Sequence, residues 1–130
     1  KALETLRRNC QFNNKSYQAF IRYAERLSSL DKNKEAAQAY LDSFHIYPFD
    51  SKVHKLRGEL LLKVQDYQGA TSEFKVAVEL EPRDREAMEK LLSCHIKLKD
   101  AKAGHRIIKK LRRFFPDGNY DGQEKELENF

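Results

Sequence analysis

Ser51–Asp84, SKVHKLRGELLLKVQDYQGATSEFKVAVELEPRD, is the stretch on which the fold turns. Leu56, Leu60, Leu61 and Val64 recur three or four residues apart, the spacing of one face of a helix. Asp66 and Tyr67 interrupt the run. A second helical pattern passes through Ala70, Phe74, Ala77 and Val78 and ends at Leu80. Pro82 closes the unit, because proline lacks the N–H and clashes with the preceding turn. These 34 residues therefore read as two helices, a tight turn and a stop.

The flanks continue in phase. Tyr17–Asp50 carries Phe20, Tyr23, Ala24, Leu27 and Leu30, then Ala36, Ala37, Tyr40, Leu41 and Phe44, then Pro48. Arg85–Gly118 carries Met88, Leu91, Leu92, His95 and Leu98, then Ala101, Gly104, Ile107, Ile108 and Leu111, then Pro116. Pro48, Pro82 and Pro116 are spaced by 34 residues. Counted from the start of each unit, position 8 is Ala24, Gly58 and Leu92, and position 20 is Ala36, Ala70 and Gly104. Two antiparallel helices that cross closely leave room only for a very small side chain on each, with larger residues filling the space beside them. Leu92 departs from that pattern, which suggests that the third pair splays or packs at another angle. Gly104 costs about 1 kcal/mol against alanine inside a helix, so its presence points to a packing demand.

In these features the chain resembles the tetratricopeptide-repeat family. Gly58, Tyr67, Ala70, Phe74, Ala77, Leu80 and Pro82 stand at positions 8, 17, 20, 24, 27, 30 and 32 of the central unit, as the family pattern has them. His54 stands in place of an aromatic residue and Arg57 in place of leucine; in the first unit Asn33 and Ser43 replace an aromatic residue and an alanine. The resemblance implies an all-α fold, an α-solenoid of antiparallel helix pairs forming one domain over residues 1–130. Its repeats are 17–50, 51–84 and 85–118. A leading helix within 1–16 is either the second half of an earlier repeat or a capping helix. Residues 119–130 are either a capping segment, with Leu127 and Phe130 tucked against the last pair, or a frayed tail. A turn is expected at Asn13–Ser16 with Ser16 as N-cap, and Asp66, Asp84 and Asp100 sit where Asp caps helices.

The length suits one domain with a substantial core. Charged residues make up 35% of the chain, while Gly and Pro are few and Trp is absent, which favours helices over a sandwich or barrel. No run of 18 apolar residues exists to span a membrane. The first residues lack the apolar stretch of a signal peptide; a chain beginning at Lys1 reads as a fragment, and a removed targeting segment stays compatible with it. Cys10 and Cys94 form no ligand pair and the four histidines are scattered, so reduced thiols in the cytoplasm or nucleus are expected, with Cys94 in the core and no metal or cofactor. No constellation argues for catalysis. Glu79 and Glu81 point in different directions on a helix, Ser28 and Ser29 have no histidine nearby, and Gly118 and Gly122 flank a turn rather than a phosphate loop.

Binding must then come from surfaces, and a non-catalytic scaffold or adaptor segment of a larger protein is expected. In the family the first helix of each repeat lines a concave groove. By that resemblance the groove presents Gln18, Ile21, Glu25, Ser28 and Ser29, then Lys52, Lys55, Glu59, Leu62 and Lys63, then Glu86, Glu89, Ser93, Ile96 and Lys97. Such a lining, mixed in charge with a few apolar contacts, fits a peptide or helix of a protein partner. Ordinary solvated positions are the competing reading for each residue.

Chaperone-binding members of the family clamp a C-terminal carboxylate with Lys and Asn at positions 5 and 9 of one repeat, Asn at 6 of the next, and Lys and Arg at 2 and 6 of the third. Here those places hold Ile21, Glu25, Leu56, Glu86 and Lys90. The two acids would repel a carboxylate, which argues against the usual Hsp70 or Hsp90 tail clamp and leaves co-chaperone binding only by another mode.

A second surface is basic. Lys97–Arg113 holds eight Lys and Arg residues against one acid, Asp100. Arg106, Lys109, Lys110 and Arg113, with Lys102 a turn earlier, form a basic patch at three- and four-residue spacing on the last helix of the third unit. A solvated helix face, an acidic protein partner, nucleic acid and an acidic lipid surface are the readings, in that order. No interleaved aromatic platform supports single-strand binding; Phe114 and Phe115 come together at the helix end and read as a hydrophobic closure of the array.

Overall fold

The computed structural model describes residues 2–12 and 16–130, and all regular structure among them is helical. The elements are α1 (Ala2–Phe12), α2 (Tyr17–Ser29), α3 (Asn33–Ser43), α4 (Ser51–Lys63), α5 (Tyr67–Leu80), α6 (Arg85–Lys97), α7 (Ala101–Phe114) and α8 (Asp121–Glu128). Helices α2 and α3, α4 and α5, and α6 and α7 form antiparallel pairs, and each packs on the next: α3 against α4, α5 against α6. Helix α1 packs on α2, and α8 on α7 and α6. Residues 13–15 of the expected Asn13–Ser16 turn, and the side chain of Cys10, lie outside the described residues.

The turn inside each helix pair is built by the same local chemistry at a 34-residue interval. Asp31, Gln65 and Lys99 adopt left-handed φ values of 58°, 63° and 58°. Each allows the next residue's N–H to reach five residues back: Lys32 to Leu27, Asp66 to Leu61 and Asp100 to His95, at 2.8–3.0 Å. This satisfies carbonyls that the helix end would leave open. The second helix then starts on a cap. Asp66 accepts from the N–H of Gly69 at 2.9 Å and Asp100 from that of Ala103 at 3.1 Å. The first helices start on Ser16, Asp50 and Asp84, whose side chains accept from Ala19, Lys52 and Ala87. The second helix of the first pair has Lys32 at its cap and no side-chain hydrogen bond there.

One apolar core runs through the array, from Ile21, Ala24 and Leu27 through Phe74 and Ala77 to Met88, Leu91, Leu111 and Leu127. In the central unit position 24 lies over position 8. A β-carbon added to Gly58 would sit 2.9 Å from Phe74 Cζ, so the ring occupies the space that glycine leaves. The residues at the same positions of the flanking units, Ala24 and Tyr40, and Leu92 and Ile108, are all buried. Relative to the central unit, the third has a larger residue at position 8, Leu92, and a smaller one at position 24, Ile108, so volume is shifted between the two helices while the core stays filled.

Gly104 meets the packing demand read from the sequence, but from another helix. The atoms against it belong to α8: an added β-carbon would lie 2.7 Å from both Leu127 methyl carbons. The glycine therefore serves the docking of the C-terminal helix. Residues 119–130 are ordered on the array, with Leu127 and Tyr120 buried, but Phe130 is exposed rather than tucked in. Leu30 and Leu98, expected on buried faces, are more than a third exposed, because they are the C-caps at which α2 and α6 end.

Candidate interaction surfaces

The two departures from the repeat pattern in the central unit meet at one buried carboxylate. His54 Nδ1 lies 2.7 Å from Glu73 Oε2, and Arg57 Nη1 donates to Glu73 Oε1 at 3.0 Å. His54 Nε2 lies 2.7 Å from the carbonyl of Pro48, and Arg57 Nε donates to the carbonyl of Ala37 at 3.0 Å. The His54 ring also stacks on Phe44, 4.0 Å between centroids. Both imidazole nitrogens face oxygens that can accept, an arrangement that favours the ring with a proton on each. Burial opposes that charge, yet the hydrogen bonds to Glu73 and to Pro48 outweigh it and hold the pKa above the ordinary 6.5. This cluster joins the first pair to the second through α3, α4 and α5. It is closed to substrates, since the His54 and Glu73 side chains are 7% and 10% exposed. The sequence marked His54 and Arg57 as unusual but left Glu73, their common partner, unnoticed; the signal was two polar residues on one helix face at normally apolar positions.

Of the residues expected on the face of the first helices, Gln18, Glu25, Ser29, Lys52, Lys63, Glu86, Glu89, Ser93 and Lys97 are exposed, and Ser28, Glu59, Leu62 and Ile96 are half-buried. Ile21 is packed into the core. Lys55 reaches across to Asp84, Nζ to Oδ2 at 2.7 Å, and ties α4 to the cap of α6. The hydrogen bond to Asp84 raises the Lys55 pKa; burial works against the Asp84 charge, but Lys55 and the backbone N–H of Ala87 keep its pKa below the usual range. Glu89 accepts a hydrogen bond from the Tyr120 hydroxyl. Ser28 of α2 and Leu56, Glu59 and Lys63 of α4 converge on a small cleft of about 60 Å³. Tyr40 backs that cleft, and burial followed by the nearby Glu25 charge pushes its hydroxyl up to about 12.

The basic helix forms one wall of a larger groove between α5 and α7, of about 510 Å³, with α6 beneath it. Val78, Leu91, His95, Ala103 and Ile107 make its floor; Lys75, Arg106, Lys109, Lys110 and Arg113 surround it, with Glu79 the acid among them. Lys102 is exposed and is not part of the lining. Arg112, from the same basic run, is paired with Asp121 and Glu124 of α8 at 2.9 Å each. Lys75 was missed by reading the last helix alone, although it occupies the same place in the second unit as Lys109 in the third. Phe114 and Phe115 pack against the core at the end of the array, under Arg83 and Arg85 at 5.3 Å.

Among the described residues, no group of three or more His, Cys, Asp or Glu is placed to hold a metal ion, and no helix is long and apolar enough to cross a membrane.

No protein-family model matches the sequence, and no curated protein sequence does either. Solved structures do match in fold. The crystal structure of MamA is similar with a TM-score of 0.77 over 98% of this chain and 81% of that one, at 11% identity. The TPR2B domain of yeast Sti1, solved as a complex with pHsp70, has a TM-score of 0.68 over 87% of this chain and 96% of its own, at 15% identity. The first TPR domain of Spaghetti (RPAP3), bound to the HSP90 peptide SRMEEVD, has a TM-score of 0.70 over 87% and 90%, at 12% identity. With the 34-residue phase of caps, turns and prolines, these likenesses make the chain an all-α solenoid of the tetratricopeptide type.

Proposed function

We propose that this chain is a non-catalytic protein-interaction module that holds a peptide or helix of a partner along the face of α2, α4 and α6. The observation that carries this reading is the cleft where Ser28, Leu56, Glu59 and Lys63 meet. It brings together residues of two successive first helices, the arrangement a bound segment needs to touch several repeats at once. One structure of similar fold is bound to an HSP90 peptide and another is in a complex with pHsp70, which adds support for the class of ligand. The Hsp70 and Hsp90 tail arrangement is not part of the proposal, because Ile21 is packed into the core and Glu25 and Glu86 are exposed acids at clamp positions.

The test is selection from a random peptide display library on the immobilised protein, followed by affinity measurement on variants. Lys63→Glu and Leu62→Ser should weaken selected peptides about tenfold or more without changing the circular dichroism spectrum. Lys55 is a poor probe, since its loss would also break the tie to Asp84. Selected peptides that bind both variants as tightly as the parent would overturn the reading.

A further inference from the structure

The groove between α5 and α7 lies on the side of the second helices, separate from the face proposed above. Its rim is cationic: Lys75 from α5 and Arg106, Lys109, Lys110 and Arg113 from α7 stand around it, against the single carboxylate of Glu79. None of these cations appears among the ion pairs of the described residues, whereas neighbouring Arg112 is neutralised by α8. The floor is different in kind. Val78, Leu91, Ala103 and Ile107 make it apolar, and His95 completes it. His95 is 7% exposed, and its Nδ1 has no hydrogen-bond partner among the described residues. A buried polar atom without a partner is rare and costly. His95 is itself part of the groove floor, so a group that enters the groove is placed to meet its ring. Burial, with Lys75 and Arg106 nearby, lowers the His95 pKa despite Asp100, which favours the neutral ring.

We propose that this groove docks an acidic segment of a partner protein, which inserts one side chain with an apolar stem and a hydrogen-bonding end between α5 and α7. The rim selects negative charge. The floor selects an apolar body, and a volume of about 510 Å³ accommodates a large side chain. His95 supplies the polar contact at the bottom. A nucleic-acid strand suits the site less well: no Phe, Tyr or Trp lines the groove as a platform for base stacking, and Glu79 interrupts the positive wall.

Fluorescence-detected binding with four probes tests the proposal: a random Glu–Tyr copolymer, polyglutamate of the same length, a single-stranded DNA oligonucleotide, and phosphatidylserine vesicles. The copolymer should bind about tenfold tighter than polyglutamate, and its binding should weaken with salt. Lys75→Glu with Arg106→Glu, both at exposed positions, should abolish it while thermal unfolding stays unchanged. Glu79→Lys should strengthen it, and the His95 imidazole resonances should shift on titration. Polyglutamate or DNA binding as tightly as the copolymer, capture by vesicles alone, or a charge-reversed variant that binds normally would each overturn the proposal.

Discussion

Replacing Glu73 with alanine should be the most damaging polar substitution in the chain. The carboxylate is buried and holds two cations, His54 at 2.7 Å and Arg57 at 3.0 Å. Its removal leaves the His54 Nδ1 and an Arg57 Nη1 facing no acceptor at 7% and 16% side-chain exposure. Breaking a buried pair from one side costs about 3–5 kcal/mol. Arg57 keeps its bond to the Ala37 carbonyl, so about 3 kcal/mol is expected. The mechanism makes a second demand. Changing all three members to apolar residues, His54→Phe, Arg57→Leu and Glu73→Leu, removes every buried charge together and restores the apolar character that the repeat pattern has at positions 4 and 7. That variant should recover to within about 1 kcal/mol of the parent or exceed it. The phenylalanine retains the stack on Phe44, and the Pro48 carbonyl turns to water, since Pro48 is exposed. A pH signature follows as well. The folded His54 pKa is raised above 6.5, so its contribution is fully present below the unfolded pKa and is lost as pH rises through the folded one. Urea unfolding followed by circular dichroism at several pH values measures all three effects. The reasoning fails if Glu73→Ala shifts stability by less than about 1 kcal/mol, if the triple variant recovers nothing, or if the same loss of stability with rising pH survives in Glu73→Ala.

Gly58→Ala should destabilise the protein by about 1–2 kcal/mol net, because the β-carbon meets the Phe74 ring at 2.9 Å and overpacking outweighs the gain in helix propensity; adding Phe74→Leu should relieve most of it in thermal melts. Gly104→Ala should loosen α8, since the new methyl group collides with Leu127; on a Leu127→Ala background the same change should instead stabilise by up to about 1 kcal/mol, the helix propensity difference. Lys99→Gly should stabilise by about 0.5–1 kcal/mol in chemical denaturation, because Lys99 holds a left-handed φ of 58° that glycine adopts without a β-carbon clash.

Much of the architecture was legible because it rests on local rules that repeat. Pro48, Pro82 and Pro116 set the period, and Asp66, Asp84 and Asp100 cap where their spacing placed them. The helix faces were readable from the spacing of apolar residues, and Cys94 is fully buried as its neighbours suggested. What resisted reading were partners far apart in the chain. Glu73 lies 19 residues from His54, and nothing local tells that its carboxylate turns inward. Tyr120 bonds to Arg85 and Glu89 across more than 30 residues. Gly104 signalled a close approach, yet only packing revealed that α8 makes it. For the binding surfaces, the basic face of α7 was visible at helical spacing, whereas Lys75, Glu79 and His95 join it because two other helices bring them there.

By itself, then, the sequence determined the helices, their caps and the 34-residue phase, since propensity, proline geometry and turn chemistry act over a few residues. The tertiary structure alone decided which polar side chains satisfy one another and which remain open. It closed His54, Arg57 and Glu73 into a sealed joint between repeats, committed Lys55 to Asp84, and left Lys75, Arg106 and His95 facing a groove. The physical reason is that burial and electrostatic pairing depend on distances through space, and in a stacked array those distances are set by the packing of each pair on its neighbours.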